Sequence, residues 1–378
     1  AIHRLRWLQP HQNHVLHILI PVPLTKQFII PPYMQKPFFS IIIPAYNLEN
    51  YIAAALQSVL VQTFQDFEII IVDDGSSDET VSIIQSFHDP RIRLVSQVNG
   101  GVSRARNAGM KKAVGAYIAF LDGDDYWYPE HLELAADFFN RHPEILVYAN
   151  RYMRDELEAI PPRPPSYPES IRRLGIRGVL FMHPSSVILN SSLASRLPPW
   201  EEAMPYGEDG LYWTRCMRGT GLIGLGGSVT SIYRQRASSA MHDEHYQHVS
   251  LHSLIAPLLN ELEAMKNPKW QFAVHYLVIR ELHPKRLLSL NAEERISLTG
   301  RIRKIMHPCL NRLFLDSYMK ACSARAGMEQ SFSALMDRTM FSCKWLDRLE
   351  RMGRSLFFRL QTNNGMESKH QDPVRSRS

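Results

Sequence analysis

The chain has 378 residues, 45% of them hydrophobic and 21% charged, and its formal net charge at pH 7 is +6. This composition is ordinary for a globular protein of two or three domains, and the small positive excess suits anionic partners without choosing among nucleotide phosphates, acidic lipids and nucleic acid. The four cysteines lie far apart and form no Cys-x-x-Cys pair, which argues against a disulfide scaffold or a thiolate zinc site and favours a reducing cytoplasm.

The first segment, residues 1–36, contains five prolines and shows no hydrophobic period, so we expect an extension that carries no chemistry. Its most apolar run, Val15–Phe28, is interrupted by Pro21 and Pro23 and is too broken to span a bilayer. The run also lacks the pattern of a signal peptide, so we expect neither a membrane span nor a secretory leader here.

From Phe38 onward, short apolar runs of strand type alternate with amphipathic helical patterns. The predicted strands are Phe39–Ile43, Glu68–Val72, Ile92–Val95, Tyr117–Leu121 and Ile145–Tyr148. Helical patterns separate them over residues 48–59, 78–84, 102–114 and 129–140. This alternation predicts an α/β fold with a mostly parallel, Rossmann-like sheet that is flanked by helices on both faces.

After Asn150 the organisation of the chain changes. The proline-rich stretch 161–168 predicts a linker or loop, and a segment of mixed pattern continues to about Tyr233. Helical patterns dominate residues 242–362, and the polar residues 363–378 predict a disordered tail. The Gly-x-Gly-x-x-Gly spacing of Gly219–Gly224 follows a predicted helix and enters a strand-like stretch, so we do not expect a dinucleotide site there.

Acidic residues follow two of the predicted strands. Asp73-Asp74-Gly75-Ser76 comes after the second strand, and Asp122-Gly123-Asp124-Asp125 comes after the fourth. Ligands of open α/β sheets bind at the carboxyl ends of the strands, so both clusters are expected at one edge. Neighbouring carboxylates repel each other unless a cation or a hydrogen-bonded ligand compensates, so the second cluster predicts a metal and diphosphate site. An ordinary turn is the alternative, since Asp and Gly are common in turns.

The segment Asn99–Asn107, between the third strand and the next helix, adds a glycine turn and two cations. Arg104 and Arg106 could compensate the acids or a bound diphosphate, because guanidinium groups pair well with carboxylates and phosphates. Because this glycine turn and these two cations are expected near the acidic clusters, a ligand site is favoured there over an ordinary turn.

Together these motifs resemble glycosyltransferase family 2, the inverting nucleotide-diphospho-sugar transferases with the GT-A fold. The resemblance rests on Ile43–Asn47, Val72–Asp78, Gly101–Asn107 and Phe120–Asp125. It covers residues 38–150 and extends more weakly to about residue 241. It implies a GT-A domain over 37–241, with nucleotide-sugar binding in 37–150 and the acceptor side in 151–241, followed by a helical region over 242–362.

The resemblance also assigns roles to individual residues. The residues that it places around the nucleotide-sugar donor are Pro44, Ala45, Tyr46, Glu49, Asp73, Gly101, Arg106 and Asp122. Asp73 would accept a hydrogen bond from the base, commonly uracil in this family, and Asp122 would lie near the ribose or the sugar. Asp124 would bind the Mn2+ or Mg2+ ion that bridges the diphosphate.

Glu208 and Asp209 precede a predicted helix, where acids can simply cap the helix and complement its dipole. The resemblance implies instead that Asp209 is the general base for the acceptor hydroxyl and Glu208 its helper, in a transfer that inverts the anomeric centre. Tyr233–Arg236 resembles a Tyr-Arg-x-His segment of the family in which Arg236 replaces the histidine. His183–Ser186 resembles an acceptor-facing segment, with an ordinary strand entrance as the alternative.

Two features of the helical region have alternatives of their own. For His245, His248 and His252, which share one helical face, we favour a solvated or acceptor-facing helix over a zinc site. The apolar stripe Phe341–Leu356 lies beside several arginines. We favour packing of this stripe on the catalytic domain, and the alternative is peripheral contact with the inner face of an anionic membrane.

We therefore expect a cytoplasmic glycosyltransferase of polysaccharide biosynthesis with a UDP-sugar donor, a divalent metal, and a saccharide, lipid-linked or protein acceptor, but no nucleic acid partner. The sequence lacks a Gln-x-x-Arg-Trp segment, so the family's membrane polymer synthases are poor models. One alternative is a nucleotidyltransferase, which needs a glycine-rich loop where Pro44–Asn47 stands. The other is a catalytically weak sugar-nucleotide binding module, against which Asp122, Asp124 and Asp209 argue.

Overall fold

The structure is a computed structural model, and it describes residues 36–155, 161–162, 166, 168–172, 182–204, 206–235, 251–264 and 292–305. The described residues fall into two compact units. The first unit takes in residues 36–171, 183–196 and 224–235, and the second takes in residues 172, 182 and 197–223 and two later helices. The predictions for residues 1–35, Arg236, the histidines at 245 and 248, the stripe at 341–356 and the tail lie outside the described residues.

The described strands form one sheet. They are β1 (Phe39–Ala45), β2 (Phe67–Asp73), β3 (Ile92–Ser96), β4 (Tyr117–Phe120), β5 (Tyr126–Trp127), β6 (Val147–Asp155), β7 (Ser170–Arg172), β8 (Val187–Asn190) and β9 (Ile223–Arg234). Their order is β3-β2-β1-β4-β8-β6-β9-β5, with β7 beside β9. The half β3-β2-β1-β4 is parallel, whereas β8 is antiparallel to both of its neighbours and β5 is antiparallel to β9.

Helices cover both faces of the parallel half. They are α1 (Ile52–Leu60), α2 (Thr80–Gln85), α3 (Val102–Lys112) and α4 (His131–Arg141); a short helix α5 (Ser191–Ala194) follows β8. Ile41 and Ile69 face the core formed with α1 and α4, and Ile70 on the opposite face packs with Ala105 of α3. Strands buried on both faces need apolar side chains at consecutive positions, which explains the continuous runs in the sequence. The predicted α/β class with flanking helices is confirmed.

The mixed half of the sheet was not predicted in detail. The predicted strand 145–148 belongs to the longer β6, and β8 lies between β4 and β6 although it follows both in the chain. The four residues of β8 form too short a run to show a period, so their pairing depends on neighbours that are distant in sequence. The direction of this strand is therefore decided by tertiary structure.

The second unit contains the helices α6 (Glu208–Thr220), α7 (Leu251–Ala264) and α8 (Ala292–Ile305). Leu211 and Trp213 of α6 are buried, as are Leu258 and Leu262 of α7. Between these two helices, Arg215 Nε donates to Glu261 Oε2 at 2.9 Å. Among the helices that the structure describes, none combines the length and the apolar character that crossing a bilayer requires. The predicted boundary near residue 241 stays a prediction.

Candidate functional site

The ends of β1, β2 and β3 are tied together at the carboxyl edge of the sheet. The backbone N–H of Asp74 donates to the Ala45 carbonyl at 2.8 Å, and the N–H of Gln97 donates to the Asp73 carbonyl at 2.9 Å. Parallel strands that end at one edge bring their following loops together, which is where α/β proteins bind ligands. The loops predicted to bind the donor therefore lie side by side.

The neighbours Asp73 and Asp74 have different environments. The Asp74 carboxylate accepts the backbone N–H of Gly101 at 2.8 Å and the side-chain amide of Gln97 at 2.7 Å, so it anchors the loop before α3. Asp73 is also buried, and its Oδ1 accepts the N–H of Ser76 at 3.0 Å. Gly101 has a φ of +88°, which favours glycine, and its N–H is engaged by Asp74. Gly101 therefore shapes the loop through its backbone.

The loop after β1 is joined to the loop after β2 by hydrogen bonds. Asn47, with a φ of 50°, accepts the N–H of Ser77 through its Oδ1 at 2.9 Å. The N–H of Glu49 donates to Asp78 Oδ2 at 3.1 Å. Partial burial of Asp78 acts to raise its pKa, but hydrogen bonds from Thr80 and Glu49 outweigh it and lower the pKa. These bonds give the loop a defined shape beside the strand ends.

The four residues predicted to line the base pocket differ in exposure. Pro44 and Ala45 are buried at the end of β1. The Tyr46 side chain is 49% exposed at the same edge. Glu49 is exposed as well, and its Oε2 accepts the N–H of Glu79 at 3.2 Å. Tyr46 is therefore the aromatic ring that this loop offers to a planar ligand.

A buried ion pair links α3 to the end of β4. Arg106 NH2 lies 2.8 Å from Asp122 Oδ1, and the Arg106 side chain is only 3% exposed while that of Asp122 is 20% exposed. Arg104, the other predicted cation, is exposed. Charge-assisted hydrogen bonds are among the strong ones, so Arg106 orients this carboxylate.

The turn from Asp122 to Asp125 is held from two distant segments. Asp125 Oδ2 accepts the Ser185 hydroxyl at 2.5 Å, and Asp125 Oδ1 accepts the backbone N–H of Arg234 at 3.0 Å. Arg234 Nε also donates to the Asp124 carbonyl at 2.9 Å. Burial raises the pKa of Asp125, and repulsion from Asp124 and Asp122 raises it further, against the lowering effect of the two hydrogen bonds. Asp125 therefore serves the shape of the turn.

Three side chains near this turn form a group that could hold a metal ion. Oxygen atoms of Asp122 and Asp125 and a ring nitrogen of His183 all lie within 4.8 Å of one another. His183 Nε2 is 4.0 Å from Asp122, and its ring contacts those of Tyr152 and Tyr233 at centroid distances of 5.3 and 4.5 Å. Carboxylates with one imidazole suit Mn2+, and carboxylates alone suit Mg2+, so the donor set fits the expected ion.

The metal prediction named Asp124, which follows Asp122 by two residues but is not a member of that group of three. All three members of the group are engaged: both oxygens of Asp125 accept hydrogen bonds, Asp122 Oδ1 pairs with Arg106, and His183 Nδ1 lies 3.5 Å from Asp125 Oδ2. For His183 the sequence predicts only a segment that faces the acceptor or enters a strand. His183 follows Asp125 by 58 residues, and no local sequence pattern indicates that it lies beside this turn.

Glu208 and Asp209 lie in the second unit and are the first two residues of α6, not residues that precede it. The helix follows Gly207, whose φ is 76°, and Asp209 Oδ1 accepts the N–H of Gly210 at 2.6 Å. The helix has no side-chain cap hydrogen bond, but acids in the first turn stabilise a helix through its dipole, so the two acids favour α6. Their predicted catalytic roles stay predictions. Gly219–Gly224 leaves α6 and enters β9, the reverse of the order that a dinucleotide motif needs.

Comparison with known proteins decides the family. A family model described as "Glycosyl transferase family 2" matches residues 40–195. The glucosyltransferase WfgD of Escherichia coli, named for UDP-Glc and alpha-D-GlcNAc-diphosphoundecaprenol, is 32% identical over 212 residues, which are 54% of this chain and 80% of WfgD. The chain belongs to glycosyl transferase family 2.

Two further comparisons show how far the likeness extends. The uncharacterized glycosyltransferase EpsJ of Bacillus subtilis is 50% identical over 92 residues, and the chain thus spans only 27% of that relative. The structure of S. aureus TarS 1-349 in complex with UDP-GlcNAc has the same fold, with a TM-score of 0.59 and 22% identity over 79% of this chain and 92% of TarS 1-349. The family assignment and the GT-A fold implied by the sequence are both confirmed.

The family 2 match includes the strand ends just described. Asp73, Arg106, Asp122 and Asp124 all lie within the matched residues 40–195, whereas Asp209 lies beyond them. The family match therefore covers the sheet from β1 to β8 but not α6, and the roles predicted for these residues stay predictions.

Proposed function

We propose that the chain transfers a sugar from a nucleotide-diphosphate donor, with UDP as the nucleotide, to an acceptor hydroxyl with inversion. The observation that carries the proposal is the convergence of Asp73, the Arg106–Asp122 pair and the Asp122–Asp125 turn at one edge of the sheet. Family membership, the name of WfgD and the UDP-GlcNAc complex of TarS support it.

The donor would bind across the ends of β1, β2 and β4. Asp73 would accept a hydrogen bond from uracil, and the exposed ring of Tyr46 would stack on the base. Arg106 would keep Asp122 oriented toward the ribose or the sugar, since it holds that carboxylate at 2.8 Å. This arrangement makes Asp73 the residue that discriminates among nucleobases.

Asp124 would bind the divalent ion, with Asp122 and His183 beside it. When bound, Mn2+ or Mg2+ supplies positive charge that stabilises the leaving diphosphate. Asp209 would accept the proton of the acceptor hydroxyl while that oxygen attacks the anomeric carbon, and the bond to the diphosphate breaks on the opposite face. Glu208 would assist Asp209. The name of WfgD favours a saccharide acceptor carried on a lipid diphosphate.

The test is nucleotide release from a panel of UDP-, GDP- and dTDP-sugars with Mn2+ or Mg2+. We expect one UDP-sugar to be consumed in a metal-dependent way and Asp124→Ala to lower the rate about 100-fold, because the leaving group loses its stabilisation. Asp209→Asn should lower kcat at least about 100-fold while UDP affinity stays unchanged, because only the proton acceptor is lost.

Asp137→Ala is the matched control, because Asp137 is an exposed acid of α4 that pairs with Arg141. It should keep wild-type activity. A folded wild type that binds UDP with Mn2+ but consumes no donor would favour the binding-module alternative. Pyrophosphate release from a nucleoside triphosphate would favour the nucleotidyltransferase alternative.

A further inference from the structure

We propose that Ser185 is a positioning residue that keeps the Asp122–Asp125 turn in the shape required to bind the metal ion and the diphosphate. The inference rests on the proposed function, because this turn is the metal-binding segment there. Ser185 would touch neither substrate nor metal and would act through Asp122 and Asp125.

The Ser185 hydroxyl joins both ends of the turn. It accepts the backbone N–H of Asp122 at 3.0 Å and donates to Asp125 Oδ2 at 2.5 Å. The N–H of Asp125 in turn donates to the Asp122 carbonyl at 2.9 Å. One fully buried hydroxyl therefore fixes the first and last residues of a four-residue turn in which two carboxylates would face the ligand.

Ser185 itself is held firmly in place. It lies in the short 3₁₀ turn Pro184–Ser186 that leads into β8, and its carbonyl accepts the indole N–H of the buried Trp127 at 2.6 Å. β8 pairs with β4 through Ile188 opposite Ala119. The pairing of β8 with β4 thus fixes the position of the hydroxyl, and the hydrogen bonds of the hydroxyl fix the turn that follows β4.

Removing the hydroxyl would affect the turn more than it would affect the fold. Asp125 is 1% exposed, so Oδ2 would lose its donor where water cannot readily replace it. The contacts from Arg234 to Asp125 Oδ1 and to the Asp124 carbonyl would still hold the other side of the turn. We therefore expect the fold to persist while the carboxylates of Asp122 and Asp124 lose their defined spacing.

Ser186 provides a matched control in the same turn. It is also a serine, it is 1% exposed, and its hydroxyl donates to the His183 carbonyl at 2.8 Å. Ser185→Ala and Ser186→Ala each delete one buried hydroxyl, but only the first deletes the bonds to Asp122 and Asp125. If the role of Ser185 were merely structural, both substitutions would change Mn2+ binding to a similar extent.

The experiment measures binding of Mn2+ in the presence of UDP by calorimetry, together with the thermal unfolding midpoint and the kcat of donor hydrolysis. Ser185→Ala should raise the Kd of Mn2+ about 10-fold or more, since loss of groups that orient metal ligands has effects of about 10- to 100-fold. Ser186→Ala should change this Kd less than about 2-fold by the same comparison.

A second pair of variants covers the case in which Ser185→Ala does not fold. Ser185→Thr and Ser185→Val have the same shape and differ only in the hydroxyl, so Mn2+ should bind more tightly to the threonine variant. Equal Mn2+ affinity in that pair, or equal shifts of the Mn2+ Kd in Ser185→Ala and Ser186→Ala, would overturn this inference but not the proposed function. A wild type that neither binds Mn2+ with UDP nor consumes any donor would overturn the proposed function as well.

Discussion

Adjacent acids in this chain have different roles at the scale of single residues. Asp74 accepts N–H donors from the loop before α3, whereas its neighbour Asp73 accepts one from Ser76. Asp125 accepts from Ser185 and Arg234, whereas Asp122 pairs with Arg106. In each cluster one carboxylate organises the loop, because a buried carboxylate is stable only when donors satisfy it.

His131 is a buried residue whose titration should be measurable. Its ring stacks on Trp127 with centroids 4.2 Å apart, and its Nδ1 lies 2.8 Å from the Thr230 hydroxyl. Burial lowers its pKa to about 3. The folded state therefore resists protonation that the unfolded state accepts near pH 6.5, so the stability present above that pH is lost as the pH falls toward 3.

We expect this loss to be about 1.4 kcal/mol per pH unit below the unfolded pKa. The free energy of unfolding should be measured with urea at about pH 7.5 and at about pH 5. Between these two pH values, His131→Gln should lose about 2 kcal/mol less of it than the wild type does. His88→Gln, at an exposed position, is the control and should retain the wild-type dependence. An unchanged pH dependence in His131→Gln would contradict the assignment.

At the scale of elements, the close approach of α3 to β1 determines where Arg106 lies. A Cβ on Gly109 of α3 would lie 2.4 Å from Ile42 Cγ2 of β1, so only glycine allows the present separation. Arg106, one turn earlier on α3, contacts Asp122 at this separation. The glycine thus connects helix packing with the geometry of the acidic turn.

Gly109→Ala should force α3 away from β1 and lower the free energy of unfolding by about 1–3 kcal/mol, as overpacking does. Gly300→Ala is the matched control, because α8 has open space around that position. The control should gain about 0.5–1 kcal/mol, since alanine is the better helix former. Urea unfolding measures both variants, and equal effects of the same sign would show that the contact with Ile42 is unimportant.

At the scale of the whole molecule, residues far apart in sequence share the second unit. Arg215 of α6 is buried, and its Nε binds Glu261 of α7 at 2.9 Å. Arg218 binds the other oxygen of Glu261 at 2.7 Å. The helix that begins with Glu208 and Asp209 is therefore packed on a helix from beyond residue 241. The predicted helical region thus contributes to the surroundings of α6.

Breaking this buried cluster should destabilise the second unit. Glu261→Gln removes the carboxylate that Arg215 and Arg218 share, although Arg215 keeps Glu201 at 3.3 Å, and we expect the unfolding free energy to fall by about 3 kcal/mol. Glu263→Gln, two residues later, affects an exposed pair with Arg301 at 3.4 Å and should change stability by less than about 1 kcal/mol. Denaturant unfolding followed by tryptophan fluorescence measures both, and similar losses would contradict the importance of burial.

Much of the parallel half could be predicted from sequence because its determinants are local. The apolar runs that became β1, β2 and β4 and the acids that follow them are visible without tertiary information. Family membership followed from the same motifs and is confirmed. The site roles of Asp124 and Asp209 stay predictions.

The sequence by itself determined the strand and helix alternation and the clustering of acids at strand ends, because periodicity and burial on both faces are properties of short segments. Only the tertiary structure decided which acids are already engaged. Asp125 accepts hydrogen bonds from a hydroxyl 60 residues away and from a backbone N–H 109 residues away. Likewise, Arg215 of α6 donates to Glu261 of α7, which is 46 residues later in the chain. Such partners depend on the order and direction of strands and on helix packing, which no local pattern encodes.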